Sequence, residues 1–159
     1  MKLIAAALVL TSLAFWSFAG TAADSTLAKR SRSVLITSGG SDLELTVIKT
    51  LTNQLSDVGV LVTTVPLKDF QKMPVDSFGA VVVLGAIDKT RLRTNVQEYL
   101  NRFDQPWQQS TVIIATVTGD KWREKESVID AVTAASTTLE PRVIASKLYT
   151  KITAILKIN

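Results

Sequence analysis

The chain has 159 residues, 18 Lys and Arg against 14 Asp and Glu, and neither histidine nor cysteine. Those absences exclude Ser-His-Asp and Cys-His catalysis, disulfides and the usual zinc ligand sets, so any chemistry would have to come from a cofactor. A net charge of +4 is too mild and too scattered to specify a nucleic-acid partner, and no catalytic residue or metal ligand is nominated.

Met1 and Lys2 lead into an uncharged apolar stretch from Leu3 to Ala19 that ends in small residues, Gly20-Thr21-Ala22-Ala23. This is the layout of a secretory signal peptide. The stretch falls short of the roughly 20 residues that a membrane-spanning helix needs. Cleavage near Ala23 and export to the periplasm are therefore expected, with residues 24–32 as a polar lead-in and 33–159 as one domain. Lys29, Arg30 and Arg32 outnumber Lys2 and support the competing reading of an uncleaved membrane anchor.

Four short apolar runs follow: Ser33–Thr37, Val60–Val65, Ala80–Gly85 and Thr111–Val117. They are rich in β-branched residues and do not alternate with polar ones, which predicts strands buried on both faces of a parallel sheet. After the first run, Leu45, Ile48, Leu51, Leu55 and Val58 recur at helical spacing. Ser41-Asp42-Leu43-Glu44 is a capping box at the start of that helix, and Gly59 supplies a left-handed stop at its end.

The segment Pro66–Phe78 carries two prolines and predicts at most one helical turn. A second helix is expected over 91–103 through Leu92, Val96, Tyr99, Leu100 and Phe103, with Pro106 beyond its end. A third is expected over 124–138 through Val128, Ile129, Val132 and Ala135. From Pro141 onward two readings stay open. Ile144, Leu148, Ile152, Ile155 and Leu156 fit a helical stripe, while a short strand over Arg142–Ser146 followed by a terminal helix is preferred.

Strands alternating with helices predict an α/β, three-layer doubly wound parallel sheet of four or five strands, in the order 2-1-3-4-5. Such sheets bind ligands beyond the carboxyl ends of their strands, at the point where the winding reverses. Three loops are therefore nominated: Ser38–Ser41, Ala86–Lys89 and Thr118–Trp122. No P-loop lysine or G-x-G-x-x-G fingerprint follows any strand, and the acidic residues of a phosphorelay receiver are missing from the strand ends.

The stretch DSFGAVVVLGAIDKTRLRTNVQEYLNRF, from Asp76 to Phe103, has a strand ending in Gly-Ala, a loop, and a helix that reads like xxVxxFLxRF. In this it resembles the flavodoxin-like family, including flavin-dependent quinone and protoporphyrinogen reductases. The resemblance implies FMN, with its phosphate in the loop after the first strand. The family motif, Ser/Thr-x-Thr-Gly-x-Thr, falls here on Thr37-Ser38-Gly39-Gly40-Ser41-Asp42. Asp42 departs from it, because a carboxylate there would repel a phosphate at the helix N-terminus.

The cofactor-binding candidates are thus Ser38, Gly39, Gly40 and Ser41 for the phosphate. For the ring they are Gly85, Ala86 and Ile87 in the second loop and Thr118, Gly119, Asp120 and Trp122 in the third. Each has a plainer structural reading. Ser41, Asp42 and Glu44 cap a helix, Lys89, Arg91 and Arg93 form a solvated basic face, and Trp122 folds onto a helix.

The preferred expectation is an exported module of the cell envelope that has lost or weakened FMN binding and serves to bind a small molecule or an envelope protein without catalysis. One alternative is an FMN-dependent electron carrier or quinone reductase. The other is a protein that binds a small anion at the Ser38–Ser41 nest.

Overall fold

A computed structural model describes residues 32–88, 91–116, 130–133 and 140–158. Strand β1 (Ser33–Ser38) is followed by helix α1 (Asp42–Asp57), strand β2 (Leu61–Pro66), two 3-10 segments (Leu67–Lys72 and Val75–Ser77) and strand β3 (Ala80–Leu84). A small hairpin of β4 (Ile87–Asp88) and β5 (Arg91–Leu92) leads into helices α2 (Thr94–Leu100) and α3 (Gln105–Thr111). Strand β6 (Val112–Thr116), strand β7 (Asp130–Thr133) and helix α4 (Pro141–Leu156) follow. The main sheet is parallel throughout, in the order β2-β1-β3-β6-β7. Without the hairpin this is the 2-1-3-4-5 order of a flavodoxin-like doubly wound sheet.

The continuous apolar runs of β1, β3 and β6 have the expected cause: successive strand residues point to opposite faces, and both faces are covered. Val34, Ile36, Val82, Leu84 and Ile113 pack on one side against Val47, Leu51 and Leu55 of α1 and Ile144, Leu148 and Ile152 of α4. Leu35, Val81, Val83, Val112 and Ile114 pack on the other against Phe70 and Val75 of the 3-10 segments and Val96, Tyr99 and Leu100 of α2. Each side chain so buried contributes about 2 kcal/mol through removal of apolar surface from water.

The second face carries a column of rings. Phe70 meets Tyr99 edge-on at 5.1 Å, Tyr99 meets Phe103 at 5.8 Å, and Phe103 meets Trp107 at 4.5 Å. The Tyr99 hydroxyl donates to the Met73 carbonyl. Burial raises the Tyr99 pKa above its ordinary 10.0, outweighing the Val75 backbone and the Arg102 guanidinium, which pull it down. A raised folded-state pKa means that stability is fully present below the unfolded-state value and is lost as pH climbs through the folded one. The wild type is therefore expected to lose thermal stability between about pH 9 and pH 11 more steeply than Tyr99→Phe, which carries no titrating hydroxyl there. Parallel slopes for the two proteins would contradict this.

Five expectations need correction. The link from Pro66 to Phe78 carries two 3-10 segments, Leu67–Lys72 and Val75–Ser77, in place of at most one helical turn, because the tighter i-to-i+3 bonding suits short stretches set between prolines. Asp130–Thr133, within the predicted helix 124–138, is strand β7, and the rest of that predicted helix lies outside the described residues. The free edge of β6 pairs with it in the register Ile113↔Asp130 to Thr116↔Thr133, and that sheet pairing overrides the helical spacing of Val128, Ile129 and Val132. Arg142–Ser146 is helix, because Ile144, Leu148, Ile152 and Leu156 bury at spacings of four, and Pro141 stands in the first turn, where its missing N–H costs nothing.

The helix expected over 91–103 begins only at Thr94, since Arg91 and Leu92 pair with Asp88 and Ile87. Pro106 does lie beyond the end of α2, and it also stands in the first turn of α3. The Asp104 side chain accepts from Trp107 N at 2.8 Å, and Gln108 Nε2 donates to the Leu100 and Phe103 carbonyls at the end of α2. Finally, β2 is not buried on both faces. It is the edge strand, and Leu61, Thr63 and Thr64 are exposed.

Candidate functional site

The strand order reverses between β1 and β3, so the loops leaving these two strands lie side by side at the carboxyl edge of the sheet. Helix α1 begins there with both halves of the capping box made. Glu44 N donates to Ser41 Oγ at 3.3 Å, and Ser41 N donates to Glu44 Oε2 at 3.2 Å. The same oxygen also accepts from Gly40 N at 2.8 Å and from the Ser38 hydroxyl at 3.3 Å, and Gly40 N is in turn 2.9 Å from Ser38 Oγ. Glu44 is 5% exposed. One internal carboxylate thus draws together the donors of the loop after β1, in the arrangement by which such loops grip an anion.

Gly85, at the end of β3, closes the other side. Its φ is +68°, and a Cβ there would stand 2.6 Å from Glu44 Oε1 and 2.9 Å from Gly39 N. A Cβ on Gly39 would lie 3.3 Å from Glu44 Oε2 and 3.7 Å from Gly85 Cα. The two loops touch through glycine backbone, with the Glu44 side chain wedged between them. Gly40 is left-handed as well, at φ +91°, but has open space around it. It is needed for the turn and not for close packing.

Ser38, Gly39, Gly40, Ser41 and Gly85 are therefore brought together. Ala86 is buried in the core on the opposite face, among Phe70, Val96 and Leu100. Ile87 belongs to the β4–β5 hairpin and not to an open loop, and Arg93 N bonds back to the Ala86 carbonyl at 2.8 Å. Thr118, Gly119, Asp120 and Trp122 lie outside the described residues, as does Lys89. Among the described residues, no group of acidic side chains is arranged to hold a metal ion.

Compared with protein-family models, curated proteins and solved structures, the chain matches none. What the site can do therefore rests on its own geometry.

A phosphate fits poorly at Ser38–Ser41. Its oxygens would need the Gly40 and Ser41 amides and the Ser38 hydroxyl that Glu44 already engages, and Asp42 in the first helical turn adds a second negative charge. The residue that decides this, Glu44, was visible in the sequence only as the last member of the capping box. Its i+3 spacing from Ser41 signals one bond, to the Ser41 amide. Two adjacent glycines before the cap were the remaining hint, because they let the chain turn tightly enough to add the Gly40 amide and the Ser38 hydroxyl.

Proposed function

We propose that this protein is a non-catalytic interaction module of the cell envelope, built on a flavodoxin-like fold whose phosphate-binding loop is closed by its own Glu44. The occupation of the Gly40 and Ser41 amides by the Glu44 carboxylate is the observation that carries this reading. An acidic side chain held at 2.8 Å from an amide supplies the negative charge that a helix N-terminus favours, so the loop is stable without an anionic ligand. The absence of histidine and cysteine removes Ser-His and Cys-His pairs as a source of catalysis. Export follows from the layout of residues 1–23, and no described helix is long and apolar enough to cross a membrane.

The alternative, an FMN-dependent electron carrier, needs Glu44 to leave the nest for the phosphate to enter. One purification separates the two. Protein recovered from the envelope of expressing cells is expected to lack residues 1–23 by mass, to be colourless, and to show no change in the flavin spectrum or in thermal stability on titration with FMN. A yellow protein, or saturable FMN uptake, would reject the cofactor-free module. Recovery from the cytoplasm with Met1 to Ala23 still attached would reject the envelope location.

A further inference from the structure

Strand β2 forms one edge of the sheet, and among the described residues no strand pairs with its outer side. Natural edge strands are commonly protected by charged side chains, proline, a bulge or a covering helix, and of these β2 has, among the described residues, a proline alone, Pro66, at its last position. Residues 60–66, Val-Leu-Val-Thr-Thr-Val-Pro, contain no charge, and β2 runs in unbroken register with β1 from Ser33↔Leu61 to Ser38↔Pro66. The link from β2 to β3 consists of two 3-10 segments, which leave Leu61 58% exposed.

The backbone polarity of the edge is set by one bond: Leu61 N donates inward to the Arg32 carbonyl at 2.8 Å. Alternation along the strand then turns Thr63 and Val65 inward as well, and presents the N–H and C=O of Val62 and Thr64 outward.

We infer that β2 pairs antiparallel with β2 of a second copy of this chain, about a twofold axis passing beside Thr63. A twofold perpendicular to the sheet keeps each face on its own side, so paired residue numbers must sum to an even value. The outward groups of Val62 and Thr64 then bond Thr64 and Val62 of the other copy, four hydrogen bonds in all. Thr63 faces its own copy in a non-hydrogen-bonded pair, and exposed Leu61 packs on half-buried Val65 of the other copy. Pro66, which has no N–H, ends the ladder at the position where no further outward donor is needed. Uncharged, self-matching side chains in this register favour a second copy over a charged or differently patterned strand. The inference does not depend on what the Glu44 loop binds.

A six-residue edge buries little area, so the association is weak and is best trapped covalently. The cysteine-free sequence makes single thiols unambiguous reporters. Non-hydrogen-bonded antiparallel partners have Cα atoms about 4.5 Å apart, within disulfide reach, whereas Leu61 and its symmetry mate would be about 13 Å apart, four residues out of register.

With the full chain in oxidant-treated cells, Thr63→Cys is expected to give a disulfide-linked dimer in at least about fivefold excess over Leu61→Cys. Co-expressed Leu61→Cys and Val65→Cys chains are expected to link to each other. These outcomes together support the register. Absence of the Thr63→Cys dimer, equal linking by Thr63→Cys and Leu61→Cys, or capture of Thr63→Cys by another protein in place of itself would overturn the proposal. Should Thr63→Cys fail to accumulate as folded protein, the Leu61→Cys and Val65→Cys pair decides alone.

Discussion

Replacing Glu44 with alanine is expected to lower the free energy of unfolding by about 2–3 kcal/mol, and Glu44→Gln by about half as much, in urea denaturation. The carboxylate accepts from Ser38 Oγ, Gly40 N and Ser41 N while almost fully buried, and truncation leaves those donors without their shared acceptor. Partial rescue by water limits the loss, because Gly39, Gly40 and Ser41 are exposed on their outer side. Glutamine keeps an acceptor oxygen but has no charge and brings an amide group that needs partners of its own, which places it between the two. A loss under about 0.5 kcal/mol for Glu44→Ala would mean that the carboxylate does not hold the loop, and the reading of the site as closed would fall with it.

Gly85→Ala is expected to cost about 3 kcal/mol, more than the same change at Gly40. Both positions lie in the left-handed region, so an alanine at either one pays a backbone penalty of about 1 kcal/mol. Only at Gly85 would the added methyl also meet Glu44 Oε1 at 2.6 Å and the Gly39 amide at 2.9 Å, one a side chain pinned by three hydrogen bonds and the other backbone. At Gly40 nothing stands within 4 Å.

A double-mutant cycle separates the two obstacles. In the Glu44→Ala background, the cost of Gly85→Ala should fall by about 1 kcal/mol, since the carboxylate is gone, but it should not vanish, because the Gly39 amide and the φ of Gly85 remain. Strict additivity would show that Glu44 and Gly85 do not press on one another.

Legibility of the fold varied with how local its causes are. Helix α1 could be placed from sequence at both ends, because the Ser41–Glu44 box and the left-handed Gly59 are short-range devices whose residue types follow from their geometry. The three central strands were equally plain, since Val34–Ile36, Val81–Leu84 and Ile113–Ala115 are apolar at every position, as burial on two faces requires.

Strand β7 was hidden because Asp-Ala-Val-Thr is too short to carry a period of its own and becomes a strand only against the edge of β6. Helix α3 was hidden because Pro106 serves equally well beyond the end of one helix and in the first turn of another. Edge and centre were also indistinguishable in Val60–Val65, where burial depends on what the β2-to-β3 connection covers.

At the candidate site, residue types and order along the chain were enough to nominate Ser38, Gly39, Gly40, Ser41 and Gly85, because they follow parallel strands at the edge where such sheets bind ligands. The sequence by itself determined that β1, β3 and β6 are buried, where α1 starts and stops, and that no histidine- or cysteine-based chemistry is possible. Only the tertiary structure decided that the loop after β1 is filled from within. The contact of Gly85 with Glu44 and Gly39 joins residues some forty positions apart, brought together by the strand-order reversal between β1 and β3, and no local pattern in either segment encodes that distance.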